Sequence, residues 1–193
     1  MTRAGLLAVL VLALLAGCSK RDRSGIDADA LAKRPDTEVV RRTEGDRQIV
    51  EIRRGGVVIT EENGVVKSAL DNSGHGAVLC AWKVSVDILA ALDVCVPGQH
   101  PALRQDMADA VAKIADFIVA NSLTPVSKSE LERYVAQRHA ETERQRDASG
   151  KACSPEFLDD SLPKLEAIPS AQRRAETANL LAVPRPPVME PCL

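Results

Sequence analysis

The feature that most constrains the fold is the run Ala77–Val96, "AVLCAWKVSVDILAALDVCV", with a cysteine near each end. It is apolar on most sides, with Lys83 and Asp87, four residues apart, on a narrow polar edge. Such a pattern predicts a central, buried helix. At 1.5 Å rise per residue, Cys80 and Cys95 then stand about 22 Å apart. A disulfide needs Cα atoms within about 7 Å, so these two cannot pair with each other. Whatever the chain does next must bring other cysteines to the two ends of this helix.

Four cysteines lie beyond the first segment: Cys80, Cys95, Cys153 and Cys192. A second helix begins at Pro101, a residue suited to the first helical position, with an apolar stripe of Leu103, Met107, Val111, Ile114 and Ile118. Arg104, Asp106, Asp109, Lys113 and Asp116 are expected to face outward, completing an amphipathic helix. Ser127-Lys128-Ser129-Glu130 fits a capping box, which starts a third helix. That helix turns polar after Val135, so its far end is expected to project into solvent. Short connections favour antiparallel neighbours. Tracing the helices up and down places Cys153 near Cys95 and leaves Cys192 to return to Cys80. The expected disulfides are therefore Cys95–Cys153 and Cys80–Cys192. A metal site would want close pairs such as C-x-x-C, which are absent, and no base adjoins any of the four as a catalytic thiol requires.

Ahead of the helices, residues 38–70 read as β. Short β-branched runs, "VVRR", "RQIVEIR", "VVIT" and "VVKSAL", alternate with "TEGD", "RGG" and "EENG". Asn63-Gly64 is a strong hairpin signal, since both residues tolerate positive φ. Val50 and Ile52 share one face by the period of two. Past Cys153, Pro155, Pro163, Pro169, Pro184, Pro186 and Pro187 divide the chain into short pieces, with "SAQRRAETANLLA" (170–182) the one expected helix. The fold class is α+β: a small antiparallel β-meander, then a three-helix, disulfide-pinned helical part with an irregular Pro-rich tail.

The start of the chain speaks to location. Met1-Thr2-Arg3 is a positive head, and Ala4–Ala16 is an apolar run of 13 residues, shorter than the roughly 20 that span a bilayer. That pattern is a secretory signal. Its end, Leu15-Ala16-Gly17-Cys18, resembles the lipobox of bacterial lipoproteins, a resemblance confined to the first 18 residues. It implies cleavage before Cys18, a diacylglyceryl group on its sulfur and an acyl chain on its amine. Ser19 after the cysteine implies the outer membrane, facing the periplasm. The chain thus divides into a signal peptide (1–17), a lipid-anchored flexible tether (18–37) and a single periplasmic domain (38–193). An oxidising compartment also suits an even set of four remaining cysteines.

Without Arg3 the mature chain carries 24 basic against 27 acidic side chains, a balance that argues against nucleic-acid binding. Four aromatic residues, three of them (Trp82, Phe117 and Tyr134) on expected core stripes, leave little for base stacking. No G-x-S-x-G, P-loop, G-x-G-x-x-G or H-E-x-x-H pattern occurs. His75 in "SGHG" reads as a turn residue before the buried helix, His100 as a loop or cap residue, and His139 as an ion-pair partner of Glu143. The carboxylate pairs Asp159-Asp160 and Glu61-Glu62 lie in polar stretches. The chain is accordingly read as non-enzymatic, with no cofactor and no metal, held to a membrane through Cys18 and binding a protein or other envelope component. A sharper alternative is a periplasmic inhibitor or immunity protein against a toxin or lytic enzyme. "DVCVP", "FIVAN" and the final "PC" resemble stretches of some such proteins, but the spacing from Cys95 to Cys192 is longer. A third, less favoured reading is an envelope enzyme with His75 as its candidate.

Overall fold

A computed structural model of the chain describes residues 25–149 and 153–192. The expected signal peptide and Cys18 lie outside the described residues. Four strands, β1 (Glu38–Glu44), β2 (Arg47–Arg54), β3 (Val57–Glu62) and β4 (Val65–Asp71), form one antiparallel sheet in the order β1-β2-β3-β4. This is the expected meander. Asn63 and Gly64 turn the last hairpin with φ of 52° and 75°, the left-handed values that a tight two-residue turn demands. The register Val39↔Ile52↔Ile59↔Ala69 carries one apolar row across all four strands. Thr60 pairs with Ser68 but Glu61 with Val66, so β4 carries one extra residue, a bulge at Lys67.

The face bearing Ile52, Val57 and Ile59 packs on Leu31 and Val188. This corrects the expected tether. Its described part, 25–37, is docked rather than free: a one-turn helix α1 (Ala28–Leu31) is capped by Asp27, which accepts from the Asp29 and Ala30 amides, and Leu31 is buried. Ile26, Ala30 and Leu31 carry only the weak helical spacing of a single turn, which does not reveal the docking. Its place is fixed by the apolar sheet face that Leu31 and Ile26 cover.

Three long helices follow: α2 (Val78–Cys95), α3 (Pro101–Asn121) and α4 (Lys128–Ser149). α2 is one unbroken helix, and the disulfides formed are Cys80–Cys192 and Cys95–Cys153, each with a Cα–Cα separation of 5.4 Å. They are the two pairs that the helix trace gives. The main core gathers Val78, Trp82 and Val86 of α2 with Val111, Ile114 and Ile118 of α3. Ser127 and Glu130 form the capping box, with the Ser127 amide donating to Glu130 at 2.8 Å and the Glu130 amide to Ser127 Oγ at 3.3 Å.

The far end of α4 does not project into solvent. Arg138 pairs with Asp87 of α2 at 2.8 Å, Thr142 is buried, and Arg146 donates to the Val94 carbonyl at 3.3 Å. Polar side chains hold this stretch to α2, so an apolar stripe is absent although the face is in contact. The tail is also more regular than expected. A π-helical turn (Glu156–Ser161) runs into α5 (Leu162–Ala167), and α6 covers Ser170–Leu180. Pro155 precedes the first and Pro163 lies in the first turn of the second, positions where a missing N–H removes no helical bond.

The β2–β3 turn shows why the sequence places two glycines together. A Cβ on Gly55 would sit 2.6 Å from the Pro184 carbonyl oxygen, and one on Gly56 2.6 Å from Ser73 Cα. At Gly45 a Cβ would meet nothing, although φ is +63° there. Gly45→Ala is expected to lower stability by about 1 kcal/mol, the backbone term alone. Gly56→Ala adds a clash with backbone and is expected to cost about 3 kcal/mol or more. Urea unfolding of the two variants checks the contrast; equal losses would show that the close approach does not matter.

Candidate functional site

The candidate site begins with a charged side chain in an unlikely place. Arg185, in "VPRPPV", is completely buried, as is the carboxylate of Asp71 that it meets at 2.6 Å. Its guanidinium also donates to the carbonyls of Gly76 (2.6 Å), Leu180 (2.9 Å) and Val183 (3.0 Å). Asp71 in turn accepts from the Ser73 amide and hydroxyl at 2.8 and 2.5 Å. One arginine thereby ties together the end of β4, the turn before α2, the end of α6 and its own tail. Phe117 lies beneath it, 5.9 Å from guanidinium carbon to ring centroid. Burial pushes the Asp71 carboxyl up, but the hydrogen bonds from Arg185 and Ser73 outweigh it and hold the group below its ordinary value.

A second buried charge cluster positions α6. Asp106 of α3, expected to face outward, is only 6% exposed. It accepts from Arg173 at 2.6 Å, from Ser170 at 2.8 Å and from Arg174 at 3.1 Å. Burial pushes Asp106 up, and Ser170 with Arg173 brings it below the usual carboxylate range. The helical period on α3 puts Asp106 next to the Leu103–Met107 stripe. Its outward assignment rested on its charge, and the Arg173-Arg174 pair that neutralises it lies 67 residues away.

Beyond Arg185 the tail runs as a strap between the sheet and the helices. The Leu79 amide donates to the Val188 carbonyl at 3.0 Å, and the Asp71 amide to the Glu190 carbonyl at 2.8 Å. Leu70 and Glu190 form a single parallel bridge, and Cys192 is fixed to Cys80. Pro186 and Pro187 have no N–H to give β4, and the lower edge of that strand is left facing a groove. The groove encloses about 530 Å³ between the β4 edge, the strap, the N-terminal end of α2 and the junction of α3 with α4. Its lining is largely apolar, with Ile59, Ala69, Leu79, Ile118, Val126 and Val188 among its walls. Val66 and Met189 also line it and are 41% and 39% exposed. The volume falls within the range of about 300–1,000 Å³ occupied by small-molecule sites. Glu61 lies one step away, two residues along from Ile59 and paired with Val66. It is 4% exposed, and its Oε1 is buried without a hydrogen-bond partner.

The start of the described chain meets this groove. Ile26 lines it, and a Cβ on Gly25 would lie 3.7 Å from Cγ2 of Thr124, another lining residue. The chain coming from Cys18 therefore joins the domain at the groove.

The residues singled out in the sequence are not brought together. His75 Nδ1 faces Asn179 Oδ1 at 3.2 Å. His100, in left-handed conformation before α3, bonds Glu166. His139 and Glu143 approach to 3.8 Å on one face of α4. Asp160 pairs with Lys164 at 2.5 Å. Ser161 and Lys164 spell an S-x-x-K pattern. The Ser161 hydroxyl donates to the Glu156 carbonyl, not to Lys164, and Lys164 is held by Asp160. Among the described residues no group of three or more His, Cys, Asp or Glu could hold a metal ion, and no helix is long and apolar enough to cross a membrane. The groove and the two arginine clusters were missed. The available signal was Arg185 itself, a lone charge inside a proline-rich apolar stretch. Comparison with family models, curated proteins and solved structures finds no match for this chain.

Because both buried aspartates are held below their ordinary value of 3.8, their stabilising contribution is complete above that pH. It is lost as pH falls below 3.8 through the lower folded-state values. The urea midpoint is expected to drop across that acid window. Asp71→Asn should flatten part of the drop, and a wild-type-like profile in that variant would contradict the assignment. At neutral pH, Arg185→Met leaves Asp71 buried and unpaired, which should cost about 3–5 kcal/mol.

Proposed function

We propose that this protein is a non-enzymatic, lipid-anchored component of the cell envelope that binds an apolar envelope component in the groove beneath the C-terminal strap. The observation that carries the reading is the placement of the groove where the chain from Cys18 enters the domain. In the proposed arrangement Cys18 bears the lipid, the described domain faces the periplasm, and the outer membrane is the surface to which it is held. Two or more acyl chains give stable anchoring where one does not. Two disulfides, one of them clamping the strap, support an oxidising compartment. The groove has the features of a binding site, a preformed concave wall of apolar side chains with a few polar groups at its rim.

The anchor is tested by growing cells with radiolabelled palmitate. Wild-type protein is expected to take up label, and Cys18→Ser to take up none while keeping both disulfides on a non-reducing gel. Label in the Cys18→Ser protein, or its absence from the wild type, would overturn the reading.

A further inference from the structure

We infer that the occupant of the groove is an acyl chain of a bilayer phospholipid. The inference rests on the lipid-anchored reading and goes on to name the ligand. Seven residue steps separate Cys18 from Gly25. At 3.3–3.6 Å per residue the fully extended connection spans at most about 25 Å. Ile26 and Thr124, at the end of that connection, line the groove. An anchor at Cys18 thus confines the groove to within a few tens of ångströms of the bilayer surface. There acyl chains are the most abundant apolar ligand, and the tether supplies them at high effective concentration.

The walls fit that chemistry. Ile59, Ala69, Leu79, Ile118 and Leu131 present aliphatic surface from the sheet and all three long helices. The lining contains no aromatic side chain to stack on a planar ligand. Lys67, Ser68, Ser122 and Glu190 supply polar atoms to the same lining, where a chain's ester end can be solvated while its methylenes are buried. The strap pairs with β4 at Glu190, but at Pro186 and Pro187 it lacks the amides that would extend the pairing across the opening. An extended peptide is a less suitable occupant. Along the β4 edge the bulge at Lys67 interrupts the regular ladder that strand addition needs.

The full-length, membrane-extracted protein is reconstituted into vesicles of phosphatidylethanolamine and phosphatidylglycerol carrying a diazirine-bearing acyl chain. After irradiation, cross-linked peptides are mapped by mass spectrometry. The expected result is a phospholipid adduct on peptides containing Leu79, Val126–Leu131 or Val188. Val66→Glu places a charge among the exposed lining residues, and Ala69→Phe fills the groove from the β4 side. Each is expected to cut the adduct roughly tenfold, the order expected when a charge or bulk replaces apolar contact. Val66 is already exposed, so that variant folds independently of the outcome at Ala69, and non-reducing gels confirm its disulfides. Adducts confined to residues before Gly25, adducts unchanged by Val66→Glu, or a cross-link from Cys18's own acyl chain into the groove would each overturn the assignment. Intact mass separates the two readings. Lipid on Cys18 without groove adducts sinks this inference alone, whereas an unmodified Cys18 removes the anchoring and this inference with it.

Discussion

The fold hangs on one buried ion pair. Arg185 and Asp71 have no exposed side-chain surface, and two charges in such a place are tolerable only if nearly every hydrogen-bonding position is used. Here the guanidinium reaches one carboxylate and three carbonyls, and the carboxylate takes Ser73 on its other oxygen. The geometry admits no slack, because each partner belongs to a different segment. β4 must end at Asp71, the chain must reverse at Gly76, and α6 must finish at Leu180. The tail then enters between them. The Gly55-Gly56 turn closes over the same spot, where a side chain at either position would collide with Pro184 or Ser73. A hydrophobic residue in place of Arg185 could fill space, but it could not satisfy three carbonyls left buried by the ends of other elements.

The asymmetry of the helical part follows from where polar groups are used as fasteners. α2 and α3 meet through apolar side chains, as their periodicity dictates. α4 is attached at its start by Leu131, Tyr134 and Val135, and farther along by Arg138 and Arg146 reaching to α2. α6 is attached mainly through Arg173 and Arg174 to Asp106. Surface pairs of this kind contribute little each, but Arg173–Asp106 is buried and multiply bonded. Its loss would leave an unpaired charge in the interior, so α6 has essentially one position available to it.

This division explains what was legible in the sequence. The hairpin at Asn63-Gly64, the capping box at Ser127, the length of α2 and the pairing of its two cysteines all follow from local rules: backbone conformation, capping chemistry and rise per residue. Asp106 and Arg173 did not declare themselves, and Arg185 did so only as a lone charge in an apolar stretch, because a charged residue takes a buried place only through partners distant in sequence. The docking of α1 stayed hidden for a related reason. Leu31 is one apolar residue in a charged stretch, and only the open sheet face gives it somewhere to go. The prolines misled in the opposite direction. Read as breaks, Pro155 and Pro163 stand where helices begin. The groove was illegible altogether, since its walls come from the sheet, three helices and the tail, and no two adjacent stretches of sequence define it.

The strap links the fold to the proposed site. Residues 186–190 form a wall of the groove, and they are fixed upstream by Arg185 and downstream by Cys192 bound to Cys80. Between these points Pro186 and Val188 are buried, while Met189 is exposed. The wall is a short span held at one end by charge and at the other covalently, with backbone hydrogen bonds at Val188 and Glu190 between them. A disulfide that closes a long loop limits chiefly the unfolded chain in the entropic account. This one also adds a covalent fastening to a surface that the buried ion pair and the backbone hydrogen bonds at Val188 and Glu190 already hold in place. In a reducing compartment the groove would lose its covalent fastening while the core of α2 and α3 stayed packed. Export, oxidation and the shape of the groove thus form one chain of dependence in the lipid-anchored reading, with Arg185 setting the position that Cys192 completes.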